Sequence, residues 1–178
     1  MPTTTLGITY PSSTSSVRVY QDIQQAATDT DTLISADRTK RDAAGSTYTP
    51  SITGSTSGTY TLGNGTWSAR YIRLGRMVFV WGDLTVGSTT SFAAVSGTFL
   101  ITLPVTAQGT APSTIGTGFL FDSSTATRQT TTAQINTTTT FLMAYSAVGG
   151  LVNNAAPWAW ATSDLIRFQL MYEASTAA

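Results

Sequence analysis

Two residue types are missing from the 178-residue chain, cysteine and histidine, and each absence removes chemistry. Without Cys there is no disulfide, no thiolate metal ligand and no thiol nucleophile. Without His no Ser-His-Asp or Cys-His relay can be assembled, and the commonest transition-metal ligand is gone. Carboxylates are scarce as well: Glu173 is the only Glu, and the region beyond residue 44 adds just Asp83, Asp122 and Asp164. Glycoside hydrolysis needs two carboxyls roughly 5–10 Å apart, and nothing in this spacing brings two together. The sequence points to no catalytic residue, no metal and no cofactor, and so to a protein that is not an enzyme.

Charge is the next shortage. Charged residues are 10% of the chain and the net charge is zero, where about a quarter is usual. No basic patch is present to neutralise phosphates, which argues against nucleic-acid binding. No glycine-rich loop precedes a helix, so nucleotide binding has no support. Long apolar runs are missing too: no stretch approaches the ~18 residues needed to span a bilayer. The start, MPTTTLGITYPSS, has neither the basic nor the apolar part of a secretory signal. The expectation is synthesis in a cytoplasm with no membrane insertion, and solubility carried by Ser and Thr hydroxyls.

What is present divides the chain in three. Residues 1–16 carry no period and are rich in turn formers, including Ser12-Ser13-Thr14-Ser15-Ser16; they read as an extended arm, either docking on a neighbouring protein or a plain terminus. Residues 17–44 read as a short helix and its exit, with Ser15 or Ser16 as N-cap. Val19, Ile23, Ala26, Thr30 and Leu33 follow a three-four spacing, the a and d positions of about two heptads, and Ala27 and Ile34 widen the stripe. So thin a seam is marginal alone in water; it calls either for copies of itself or for a partner surface. Half of the charged residues lie close together before residue 43 and the rest are sparse beyond it, and the shift at Ala43-Ala44-Gly45-Ser46 marks the boundary.

Residues 45–178 read as a β-domain. Alternation and turn signals predict strands over 58–62, 67–74, 77–86, 97–103, 113–121, 129–136, 141–148 and 164–172. Gly63-Asn64-Gly65 predicts a hairpin turn. The strand at 77–86 is apolar on both faces at its start, as a central strand would be, and the polar strand at 129–136 suits an edge. Short strands without a second helix predict a mostly β fold, an antiparallel jelly-roll-like β-sandwich.

Three groups of side chains invite a functional reading. Trp158 and Trp160, two residues apart in an extended segment, point the same way. They form either a glycan-binding platform or, as the cheaper alternative, packing in the core or an interface. Trp67 and Trp81, placed in strong strands, are expected in the core. Arg70, Arg73 and Arg76 either grip an anion or, more simply, make salt bridges to Asp83 or a neighbouring protomer.

Two stretches carry a resemblance. Leu6-Gly7-Ile8-Thr9-Tyr10-Pro11-Ser12 with Val17-Arg18-Val19-Tyr20-Gln21-Asp22-Ile23 resembles the N-terminal segment of small virion proteins of phages infecting actinobacteria. The stretch from Gly58-Thr59-Tyr60-Thr61-Leu62-Gly63-Asn64-Gly65-Thr66-Trp67 through Tyr71-Ile72-Arg73-Leu74-Gly75-Arg76-Met77-Val78-Phe79-Val80, with Leu103-Pro104-Val105, resembles the β-domain of phage tail fibres and related appendages. The resemblance implies a homotrimer on the virion surface. Its arm would hold other virion proteins, its helix seam would form a three-stranded bundle, and its β-domain would face out. A tail-tip or tail-fibre component with host cell-surface carbohydrate as candidate ligand is the first expectation. A capsid decoration or head fibre anchored by the arm is the alternative.

Overall fold

The computed structural model describes residues 19–42, 45–109, 114–145 and 149–176. The arm expected over 1–16 and the N-cap at Ser15 or Ser16 lie outside the described residues. The chain divides into two units, Met1–Ala44 and Gly45–Ala178.

In the first unit a single helix, α1, runs over Val19–Asp42. Three of its threonines turn their hydroxyls back onto the preceding turn. Thr28 donates to the carbonyl of Gln24 at 2.9 Å, Thr30 to that of Ala26 at 2.8 Å, and Thr32 to that of Thr28 at 2.9 Å. Back-bonding of this kind satisfies a hydroxyl that has no other partner.

The second unit is mostly antiparallel β. Its strands are β1 (Ser46–Thr47), β2 (Ile52–Gly54), β3 (Thr66–Leu74), β4 (Met77–Thr85), β5 (Phe99–Thr102), β6 (Thr114–Asp122), β7 (Thr127–Thr137), β8 (Thr140–Ala144) and β9 (Leu165–Glu173). They form one nine-stranded sheet in the order β1-β3-β4-β9-β6-β7-β8-β5-β2. The two edge strands are thus close neighbours in sequence. Laid flat, nine strands would be about 38 Å wide at about 4.8 Å per step. The five steps from Thr47 to Ile52 reach at most about 18 Å. The sheet must therefore curl until its edges approach. The joining segment, 48–51, is bonded on both sides: Tyr48 N–H donates to Ala69 of β3 at 3.2 Å, and Thr102 of β5 donates to the Ser51 carbonyl at 3.0 Å.

Curling puts one face of the longer strands inside. Val78, Val80 and Leu84 of β4 and Ile166, Phe168, Leu170 and Tyr172 of β9 are buried, as are Leu120, Ala133, Phe141, Phe99 and Ile52 from the strands around them. Phe141 and Phe168 meet edge to face at 4.9 Å although two strands separate β8 from β9. That contact crosses the interior. Phe168 lies opposite Gly82 in the register, and its ring occupies the space a Cβ there would take, 2.4 Å from the nearest ring carbon. The tight β3–β4 turn has Gly75 at its first central position with φ +58°, the conformation a hairpin of this length demands.

Two sequence expectations need correction. The polar strand at 129–136 is β7, inside the sheet between β6 and β8, not an edge. Its hydroxyl-rich face is the outer one, while Thr131, Ala133 and Ile135 point inward and are buried; alternation rather than total polarity decides where a strand sits. The segment 58–62 is not a strand. It makes single bridges, Thr59 to Thr53 and Thr61 to Ser91. The turn at Gly63 and Asn64 does form, but the Asn64 carboxamide oxygen accepts from Thr89 N–H at 2.9 Å, tying the turn to the loop after β4 instead of closing a hairpin.

Three tyrosines seal the core near β3 and β9. Tyr48 meets Tyr71 edge to face at 6.0 Å, and Tyr172 donates its hydroxyl to the Val105 carbonyl at 2.7 Å. The Tyr48 hydroxyl is buried without a hydrogen-bond partner among the described residues. Burial pushes the Tyr48 hydroxyl well above the usual phenol value of 10.0, and burial likewise raises Tyr172 to about 12, against the lowering by its Val105 hydrogen bond. A raised folded-state value means this contribution is intact below the unfolded value and is lost as pH climbs past it. Stability to urea should therefore fall as pH rises above 10.0, and Tyr48→Phe should flatten that fall without weakening the protein at neutral pH, because it removes an orphaned donor. Truncating the central ring, Phe168→Ala, should cost about 3–5 kcal/mol in the same unfolding measurement.

Candidate interaction surface

Large hydrophobic side chains that the single chain leaves exposed fall into two groups. Ile23, Leu33 and Ile34 lie on α1; Leu74, Met77, Phe79, Trp81 and Met171 lie on the outer face of the sheet.

The helix group is the seam expected from spacing. Ile23 is 63% exposed and Leu33 40%, Ala26 is half-buried and Thr30 exposed; the side chain of Val19 lies outside the described residues. Ile34, 46% exposed, flanks the stripe. None of the described helix side chains is buried. The one polar seam residue, Thr30, has its hydroxyl already bonded within the helix, so an apolar neighbour would not leave it unsatisfied.

The sheet group is built by register. In antiparallel pairs, residues directly opposite share a face. Leu74 faces Met77 and Ile72 faces Phe79 across β3 and β4; Phe79 faces Met171 and Trp81 faces Gln169 across β4 and β9; Gln169 faces Thr117 across β9 and β6. The result is a contiguous apolar field on four strands. It holds two shallow depressions of about 440 and 500 Å³ that share Trp81, Thr117 and Gln169. The first ends at an ion pair, Arg167 donating through Nε to Asp83 Oδ2 at 2.8 Å; Asp83 Oδ1 is buried with no hydrogen-bond partner among the described residues. At the other end of the face Arg76 pairs with Glu173 at 3.1 Å.

This face corrects the placement of Trp81. It is 41% exposed, not core, because it shares parity with Met77, Phe79 and Asp83 while Val78, Val80 and Leu84 turn inward. Trp67 is half-buried against the core, 6.1 Å from the Phe168 ring, and its indole donates to Tyr60. The signal for the outer face lay in the sequence: β4 is apolar on both faces, and only one can be inside.

Trp158 and Trp160 come together at 5.8 Å with their rings tilted by 56°. Both are half-buried against the core; Trp160 stacks on Phe99 at 6.2 Å and donates to the Asn153 carbonyl at 2.8 Å. The Trp158 indole N–H is buried without a partner among the described residues. The three arginines do not converge on one site. Arg76 binds Glu173, Arg73 donates to the backbone carbonyls of Gly75 and Thr176, and Arg70, beside Trp81 in the register, makes no ion pair among the described residues.

The other two carboxylates of the β-domain, Asp122 and Asp164, hold loops. Asp164, fully buried, accepts from Ser123 N–H at 2.9 Å and Ala161 N–H at 2.8 Å. Asp122 closes the β6–β7 turn, accepting from the Ser124 hydroxyl at 2.6 Å, the Ser124 N–H at 2.9 Å and the Thr125 hydroxyl at 2.8 Å. Those hydroxyls, Ser124 first, hold Asp122 below the usual carboxylate value of 3.8. Among the described residues no group of His, Cys, Asp or Glu is arranged to hold a metal, and no helix is long and apolar enough to cross a membrane. No family model, curated protein or solved structure matches this chain.

A depressed carboxyl stabilises the fold above its unfolded value and loses that effect as pH falls through the folded one. Asp122→Asn should therefore lower the melting temperature at neutral pH, and the gap to wild type should narrow as pH falls below 3.8; a gap independent of pH would show that charge on Asp122 contributes nothing.

Proposed function

We propose that this chain is a non-enzymatic structural protein of a bacteriophage particle, working as a homotrimer whose N-terminal segment engages other virion proteins and whose β-domain faces outward. The observation that carries the reading is the helix stripe. Ile23, Leu33 and Ile34 stand 63%, 40% and 46% exposed, and a stripe at heptad spacing is stable in water only when another helix covers it. The sequence resemblance to small phage appendage proteins supplies the trimer and the particle. In this reading the curled sheet is a flattened β-sandwich of jelly-roll type, its two walls meeting across Phe141 and Phe168.

The absence of catalysis rests on composition, with neither His nor Cys, and on the engagement of Asp122 and Asp164 in loop hydrogen bonds. A tail-tip or tail-fibre role follows from the resemblance of the β-domain, with host surface carbohydrate as the ligand class. One observation favours the second reading, a capsid decoration. The helix spans 24 residues, about 36 Å at 1.5 Å per residue, which is little shaft for a fibre.

Sedimentation equilibrium on the full chain should give a trimer, and Ile23→Asp with Leu33→Asp should shift it to monomer. An antibody to the chain should label particles, at the tail tip for the first role and over the shell for the second. A monomer at every concentration would overturn the trimer, and unlabelled particles would overturn the virion assignment.

A further inference from the structure

We infer that the outer face of β3, β4, β9 and β6 is a second self-association surface, buried against another copy of this chain in the oligomer. The inference rests on the trimeric reading above and deepens it, because spacing along the helix says nothing about the β-domain.

Three observations lead to a copy of the chain as the occupant. The first is location: every exposed large hydrophobic among the described residues lies either on the helix or on this face. Scattered apolar residues are ordinary on a surface, but a contiguous field marks an interaction site.

The second is area. Four strands at about 4.8 Å spacing, over seven residues at about 3.4 Å each, present about 400 Å². A stripe about 10 Å wide along the helix adds roughly as much. A stable interface needs about 800 Å² on each partner. Neither surface reaches that alone, and the two together do.

The third is charge. Asp83 with Arg167 and Arg76 with Glu173 bound the field at its two ends, each anion already matched by a cation of the same copy. End charges that are paired within one copy meet their own copy without like-charge repulsion, whereas a strongly charged partner would have to break those pairs. Arg70, unpaired among the described residues, lies beside Trp81 at the β3 side. An Arg next to an indole is a combination enriched at interface centres. The two depressions flanking Trp81 offer holes for a neighbour's projecting side chains. Their walls include Phe79, Trp81, Ile115, Phe119 and Met171.

The test uses the full chain and two pairs of variants. Phe79→Thr with Met171→Thr keeps β-forming residues at outward positions, so circular dichroism and thermal melting should stay close to wild type. The expected result is a rise of at least about tenfold in the dissociation constant of the oligomer by sedimentation equilibrium. Acrylamide quenching of Trp81, isolated as the difference between wild type and Trp81→Phe, should be strong in dilute monomer and suppressed in the oligomer. If Ile23→Asp with Leu33→Asp dissociates the oligomer while Phe79→Thr with Met171→Thr leaves it intact and Trp81 equally quenched at all concentrations, this inference is overturned and the trimeric reading stands. A chain that never associates overturns both. Trp81 shielded by added soluble host glycan, but not by concentration, overturns self-association in favour of a carbohydrate surface.

Discussion

The β-domain depends on a closure constraint. Its two edge strands, Ser46–Thr47 and Ile52–Gly54, belong to one short segment of chain, and the sheet has to bend round until that segment can touch both β3 and β5. The edges that remain are very short strands, which blunts the pairing with other chains that a long exposed edge invites. Closure creates the interior. Once the sheet bends, Phe141 and Phe168 can meet across it, Gly82 leaves room for the Phe168 ring, and the longer strands each have one face to bury. The tyrosine cluster at 48, 71 and 172 sits where the joining segment passes, so the seam is packed as well as hydrogen-bonded.

Closure also decides which apolar residues remain outside. β4 and β9 lie side by side in the middle of the sheet, with the last strand of the chain inserted between β4 and β6. Their inner residues fill the core, and their outer residues, Phe79, Trp81 and Met171, have nothing over them in a single copy. The helix leaves its stripe open in the same way. Both units thus leave apolar surface uncovered in a chain with very little charge to offset it.

The polar groups follow a different logic. With so few charges, hydroxyls and carboxamides do the local tying: Asn64 to the loop after β4, Asp122 and Asp164 to the loops around β6, the helix threonines to their own backbone. The bonds at Asp122 and in the helix are local, while those at Asn64 and Asp164 join segments 25 and 41 residues apart. They fix loop shapes and leave the carboxylates little freedom for other chemistry.

Several features were legible in the sequence because they depend on local spacing or on composition. The helix, the mostly β domain and most strand positions come from periods of 3.6 and 2 in the residues themselves, and the absence of His and Cys excludes whole classes of chemistry whatever the fold. The strand order, the interior position of the polar strand β7, the loss of the expected strand at 58–62 and the exposure of Trp81 were decided only by tertiary structure. Each depends on which face of a strand ends up inside and which distant segment pairs with it. Alternation divides a strand into two faces, but when both are apolar, as in β4, only the closure of the sheet determines which one meets water.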